Sequence, residues 1–242
     1  MEQNFTGFSP EALVFLQEIR LYNSKTWYTE HKPEYRRLLL QPFQSLVADL
    51  SETMLEIDPA LITQPAVDKT ISRIYRDTRF SKDKSLYRDS MWLNFKRPGS
   101  DWKEAPTYFF EVTPNWYRYG MGFYITPKGY MDKFRELLLT HSDRFLQIMA
   151  SVRESGLFEV EGDCYKRLPQ LDVDPEVREW LRYKNFFFSS HHPIDDQLFE
   201  ASLVERIRTG FKILAPVYNY LWEIKLQVEA ENKAAVFDGF SF

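Results

Sequence analysis

Sulfur and imidazole are scarce in this chain. A single cysteine, Cys164, leaves no partner for an intramolecular disulfide and excludes a multi-cysteine zinc site. With no base identifiable beside it, Cys164 reads as a half-buried structural residue rather than a nucleophile. Four histidines are thin material for a metal centre. The one cluster worth weighing is His191-His192-Pro193, followed by Asp195-Asp196. Adjacent side chains of an extended segment point to opposite faces, so one ion cannot easily use both histidines. A loop with Asp195 as a helix N-cap is the preferred reading, and no metal is expected.

Glycine is also sparse, at nine residues. No glycine-rich loop ends in Gly-Lys-Ser/Thr, and Gly120-Met121-Gly122 lacks the remainder of a dinucleotide fingerprint. Neither a His-Glu-x-x-His helix nor a Gly-x-Ser-x-Gly elbow occurs. No cofactor is indicated. Apolar runs stay far short of a membrane span, and the opening Met1-Glu2-Gln3-Asn4 is polar rather than a secretory core. These readings predict a cytoplasmic, reducing setting with no membrane partner. A basic excess is missing too: the net charge is −4 and the pI about 5.7. That argues against a general nucleic-acid binder, although a local patch could still hold one phosphate.

Aromatic side chains are abundant, at 17% of the residues. They can fill a large core, and Tyr and Trp can also offer flat faces to a ligand. Their placement follows a change in pattern along the chain. Residues 8–57 read as helical: Ser9 and Pro10 suit an N-cap and first turn, and Leu13, Phe15, Leu16 and Ile19 form a stripe. A break is expected at Asn23-Ser24-Lys25, then a helix from Pro33 to Leu40, with Pro42 kinking it or opening a third.

Residues 68–126 read as sheet-rich, with strands at Thr70–Arg76, Ser90–Lys96, Thr107–Thr113 and Trp116–Thr126. Their short connections favour antiparallel pairing. Residues 127–242 read as mixed. Helix restarts at Pro127 and is capped at Gly156, a strand is expected over Phe158–Leu168, and a short helix over Pro175–Arg182. A buried strand over Tyr183–Ser189 and two helices, Asp195–Thr209 and Pro216–Asn232, complete the body. The apolar tail Val236–Phe242 is expected to dock on it. The whole predicts a single α+β domain over 1–242, a mostly antiparallel central sheet flanked by N-terminal and C-terminal helices.

Charge is concentrated in one place. Between Lys69 and Arg97 nine cationic residues face three aspartates and no glutamate, a surplus of six inside an acidic protein. Charge of one sign gathered this way attracts anions, and arginine binds phosphate or carboxylate through a planar fork. If Ile71–Arg79 is extended, Arg73, Tyr75, Asp77 and Arg79 share one face, with Ile74 and Phe80 on the other. Arg73, Arg76 and Arg79 would then bind an anion oriented by Asp77, and Lys82, Lys84 and Tyr87 would close the loop. The competing reading is an ion-pair network that pins a strand to a helix through Glu34 or Glu52.

The same residues carry a resemblance. Arg73-x-x-Arg76-Asp77-x-Arg79-Phe80 with Asp83-Lys84-x-x-Tyr87 resembles the signature of a bacterial family of conserved hypothetical proteins, a domain of unknown function. Asn23…Trp27, Gly120-x-Gly122-x-Tyr124 before Pro127, and Gly162-Asp163-x-x-Lys166 extend the likeness over most of the chain. Two residues separate Phe80 from Asp83 where the family pattern has three. The resemblance implies a single domain and brings no activity, cofactor or catalytic residue.

Two functions remain open, with structure-specific nucleic-acid binding by the same basic stretch held in reserve against the acidic balance. One is binding, or enzymatic turnover, of a small anionic, phosphate- or nucleotide-like ligand at this cluster, above a sheet floor of Tyr108, Tyr119 and Tyr124. Asp77 or Glu111 would be the general base of such an enzyme. The other is a non-catalytic interaction module that uses the aromatic sheet face or the C-terminal tail.

Overall fold

The computed structural model describes residues 4–79, 82–167 and 170–238, the final four without their side chains. It is an α+β fold with a five-stranded antiparallel sheet in the order β1 (Met91–Phe95), β2 (Thr107–Val112), β3 (Trp116–Gly122), β5 (Phe187–Pro193), β4 (Glu159–Glu161). By contacts the chain forms two compact units. The first comprises Met1–Pro98, Tyr108–Tyr119 and Ser190–Lys212; the second comprises Gly99–Thr107, Gly120–Ser189 and Ile213–Phe242.

In the first unit, α1 (Pro10–Tyr22) buries Leu13, Phe15, Leu16 and Ile19, the stripe its spacing specifies. α2 (Lys25–Glu30) follows, with the Ser24 hydroxyl accepting the Trp27 amide as an N-cap. The expected Pro33–Leu40 helix becomes α3 (Lys32–Tyr35) and a π-helical turn over Arg36–Leu40. That turn runs straight into α4 (Gln41–Ile57). Pro42 has no N–H to give, and the Gln41 amide reaches back five residues to the Arg36 carbonyl, so a widened turn replaces a break.

Beneath these helices lie β1 (Met91–Phe95) and β2 (Thr107–Val112), paired antiparallel with Met91 opposite Val112 and Phe95 opposite Tyr108. Phe8, Phe43 and Phe110 meet between helix and sheet, with ring centroids 5.2–6.0 Å apart. Such aromatic packing contributes beyond the area it buries. β3 (Trp116–Gly122) ends four residues earlier than its pattern suggests, because the chain turns at Phe123–Thr126.

The segment expected as a strand at Thr70–Arg76 is extended but is not a continuous ladder. Its first part bonds β1, through Ser72 N–H to the Trp92 carbonyl and Asn94 N–H to the Thr70 carbonyl. Its second part bonds residues 86–88, through Arg76 N–H to the Leu86 carbonyl and Arg88 N–H to the Ile74 carbonyl. Changing partner midway breaks the strand into isolated bridges at Ile71–Leu93 and Tyr75–Tyr87.

In the second unit, α5 (Lys128–Thr140) and α6 (Ser142–Ser155) bury Phe134, Phe145 and Met149, and Gly156 takes the left-handed conformation that ends α6. β4 is only Glu159–Glu161, not Phe158–Leu168, and Leu168 lies outside the described residues. At Gly162 the backbone passes so close to Asn185 that a Cβ would sit 2.1 Å from its carbonyl oxygen. α7 (Pro175–Leu181) forms where expected, with the Asp174 side chain accepting the Glu176 amide. Phe145 and Phe186 meet Trp180 edge-on.

β5 is Phe187–Pro193, displaced from the expected Tyr183–Ser189. Tyr183 and Lys184 instead serve the 163–165 segment, through a bridge to Cys164 and a Lys184 N–H bond to the Asp163 carbonyl. The two C-terminal helices expected about Pro216 are one, α8 (Leu203–Asp238), with Pro216 inside it. Residues 195–200 form a short 3-10 turn, Asp196–Phe199, capped by Asp195. Of the tail Val236–Phe242, residues 236–238 belong to α8 and 239–242 lie outside the described residues. Among the described residues no helix is long and apolar enough to cross a membrane.

Gly122 tests this packing directly. A Cβ there would lie 2.3 Å from the Phe187 Cβ and 2.8 Å from its Cα, so the space over the strand is already filled by β5. Gly122→Ala is expected to destabilise the protein by about 1–3 kcal/mol, as overpacking does, read as a lowered urea midpoint at unchanged slope. A midpoint equal to wild type would show that the contact can relax freely.

Candidate functional site

The site begins at the end of α1. Asn23 leaves the helix with φ 27°, a conformation that asparagine tolerates better than most residues. Its carboxamide then uses every hydrogen-bonding position. The Oδ1 accepts the Leu86 amide at 2.6 Å and the Tyr87 amide at 3.1 Å, while Nδ2 donates to the Tyr87 carbonyl at 3.0 Å and the Ile19 carbonyl at 3.1 Å. One side chain therefore fixes the 86–87 segment to the helix. The Tyr87 ring is buried, stacked on Tyr28 at 4.6 Å and beside Tyr75 at 5.0 Å. Burial, and then the neighbouring Tyr75, push the Tyr87 phenol up to about 12, so it stays protonated as a donor.

Around this clamp opens a cleft of about 420 Å³ lined by Arg20, Asn23, Arg76, Asp83, Ser85, Tyr87 and Asp89. Arg76 Nη1 lies 2.6 Å from Asp83 Oδ2 and 3.2 Å from Ser85 Oγ. Arg20 Nη1 lies 2.7 Å from Asp89 Oδ2. The Ser85 amide and hydroxyl, and then the charges of Arg76 and Arg20, hold the Asp83 carboxyl below its usual range. Two guanidinium groups and two carboxylates thus share one small polar space.

The remaining motif residues are distributed differently. Along residues 73–79 exposure alternates as an extended chain requires, with Arg73, Tyr75, Asp77 and Arg79 exposed, Ile74 buried and Arg76 half-buried. The expected clamp of Arg73 and Arg79 around Asp77 does not face the cleft. Arg73 pairs with Asp68, and Arg79 forms a two-toothed pair with Asp77 at 2.7 and 3.0 Å on the open surface. Arg76, of opposite parity, is the motif arginine that lines it. The partners of Arg73 and Arg76 are loop aspartates, not the helical Glu34 or Glu52. Lys84 donates to the Thr78 carbonyl at 2.8 Å, and Lys82 is exposed.

The tyrosine floor is corrected as well. Tyr108 and Tyr119 are fully buried against Phe211 at 4.8 and 6.2 Å, so an α8 side chain covers them and they offer no ring to a ligand. Tyr124 is exposed in the turn after β3, near Trp102 and Lys103. Glu111 is held by Arg118 at 2.8 Å, and neither it nor Asp77 is among the residues lining the cleft. Arg20, Ser85 and Asp89 line the cleft without having been singled out from the sequence; Ser85 and Asp89 stand within the charged run, but nothing in the sequence marks Arg20.

A second polar cluster surrounds His192. The Tyr117 hydroxyl donates to Asp195 at 3.0 Å and accepts from Arg206 at 2.7 Å. Arg206 also lies 3.4 Å from His192 Nδ1, while His192 Nε2 is 2.8 Å from the Ser190 hydroxyl. Since a guanidinium only donates, Nδ1 is the acceptor and Nε2 carries the proton. Burial, and then Arg206 with a smaller effect of His191, hold the His192 pKa below its usual 6.5, against the opposing pull of Asp195. Among the described residues no group of three or more His, Cys, Asp or Glu side chains is placed to hold a metal ion.

Two outcomes follow from these geometries. Asn23→Asp keeps the shape but removes both side-chain donors, leaving the Tyr87 carbonyl unpaired. A loss of about 2 kcal/mol is expected by chemical denaturation, with faster amide exchange at Leu86 and Tyr87. Unchanged exchange there would mean that the clamp is not what holds the segment. For His192, a folded pKa below the unfolded value makes protonation oppose folding. Its contribution is complete above about pH 6.5 and lost as the pH falls through the folded pKa. The denaturation midpoint should therefore drop between pH 7 and 5 more steeply in wild type than in His192→Gln; parallel profiles would remove His192 as the cause.

The comparisons with known proteins bear on the chain as a whole. No curated protein matches it. A family profile does, over residues 11–220, a span that contains all of α1 but its first residue, the cleft and the first half of α8. The chain belongs to the family described as conserved hypothetical protein (DUF2461).

Proposed function

We propose that this protein binds a small ligand through an oxyanion, carboxylate or phosphate, in the cleft between the end of α1 and the 83–89 segment. The observation that carries the reading is the half-buried Arg76 guanidinium, held at the cleft by Asp83 and Ser85 and joined there by Arg20. A guanidinium already fixed in place loses less freedom on binding than a mobile one. Of the surplus of six positive charges over residues 69–97, two are offset by Asp68 and Asp58, and the remainder adds a favourable field for anions. Support also comes from the way Asn23, Arg76, Asp83 and Tyr87 are brought into one place from two segments of chain. The reading is of binding. Asp77 and Glu111, the candidate bases, are both paired with arginines away from the lining residues.

The test is a thermal-shift screen at low salt with phosphate, sulfate, short carboxylates, sugar phosphates and nucleotides. A ligand at about a hundred times its dissociation constant should stabilise the fold by roughly 2.7 kcal/mol. The shift is expected to vanish in Arg76→Gln and to survive in Arg79→Ala, whose side chain is exposed and paired with Asp77. A shift that persists in Arg76→Gln, or no shift from any of these anions, would overturn the reading.

A further inference from the structure

Resting on that reading, we infer that the ligand of the cleft is zwitterionic, a free small molecule with an ammonium group as well as an oxyanion. The cleft holds two guanidinium groups, Arg20 and Arg76, and two carboxylates, Asp89 and Asp83, each cation within 2.7 Å of an anion. A simple anion entering there gains contact with the arginines but brings its charge up to two carboxylates already in place. It must either displace an aspartate from its partner or bind beside it, and both cost binding energy.

A ligand carrying both signs avoids that cost. Its oxyanion meets Arg76 and Arg20 while its ammonium group meets Asp83 and Asp89, and every charge keeps an opposite neighbour. The neutral groups of the cleft fit the same pattern. The Asn23 carboxamide is fully committed to backbone, so the recognition falls to the charged pairs and the Ser85 hydroxyl. The Asp83 carboxyl is held ionised by the Ser85 amide and is 54% exposed, an acceptor a ligand cation can reach.

The experiment compares matched pairs by calorimetric titration at low ionic strength: 4-aminobutyrate against butyrate, and 3-aminopropylphosphonate against propylphosphonate. Wild type is expected to bind each amino compound about tenfold tighter than its match, the scale of one charged hydrogen bond. Asp83→Asn and Asp89→Asn, each at an exposed or half-buried position, should reduce that preference, read as the ratio of affinities within each pair because both aspartates also hold the arginines that meet the oxyanion. Arg76→Gln should weaken both members of a pair. If the anion-only compound binds wild type as tightly as its match, or if both Asn variants leave the preference intact, the zwitterion inference fails and the anion reading stands. If neither member of either pair binds wild type at millimolar concentration while simple anions still shift stability through Arg76, the inference again fails alone. Absence of both kinds of binding removes the anion reading and the inference together.

Discussion

The carboxamide of Asn23 is the constraint on which the first unit's surface depends. A helix that ends in an unusual backbone conformation usually leaves carbonyls to water. Here the side chain at that position turns back to the Ile19 carbonyl and forward to residues 86 and 87, which lie more than sixty residues away in sequence. That places Tyr87 against Tyr28 and Tyr75 and sets the backbone that Arg76 and Arg88 bond. The cleft follows from it, because its two sides are the last turn of α1 and the segment Asn23 holds. An aspartate at this position could accept but not donate, and a glycine could relieve φ but bond nothing.

The second organising fact is how the local positive charge is offset. Asp68, Asp77 and Asp83 each take one arginine of the motif, and Asp89 takes Arg20. Asp58, buried at the end of α4, accepts from Arg97 at 2.6 Å. The exposed pairs contribute little to stability, being screened by water and salt. The Asp58 pair, with its carboxylate buried, depends on its partner far more. A run that reads as a strongly cationic patch in sequence is therefore a string of pairs in space, with a mixed-charge cleft at one of them.

Much of this was legible in the sequence. Helical spacing located α1, α4 and the stretch that His141 divides into α5 and α6, and alternation located β1, β2 and the start of β3, because each element buries one face and its apolar residues repeat at its own period. Parity also predicted that residues 73, 75, 77 and 79 share one exposure and Ile74 the other. What parity could not say was which face of that segment a helix end would cover, and the cleft formed with Arg76 rather than with Arg73 and Arg79. Long-range partners account for the other departures. Residues 70–76 divide their hydrogen bonds between two neighbours, β5 begins late because Tyr183 and Lys184 are used elsewhere, and Tyr108 and Tyr119 lie under Phe211. Pro42 stands in the first turn of α4, as one of its two expected roles had it, whereas Pro216 was over-read and rides inside α8.

The contrast between Arg79 and Arg76 shows why a motif does not by itself say which of its residues line a cleft. Both arginines are held by aspartates within the same run, and in sequence Arg-Asp-x-Arg draws attention to the pair with the better geometry. That pair, Arg79 with Asp77, is 77% and 52% exposed, so water competes for the positions it offers. Arg76 makes the poorer-looking contact, one nitrogen to Asp83 and a longer bond to Ser85, and is 34% exposed within a concave wall. A binding group must be fixed, partly shielded from water and still able to donate. Arg76 is held by Asp83, is half-buried and lines the cleft together with Arg20 and Asp89, a juxtaposition that only the fold creates.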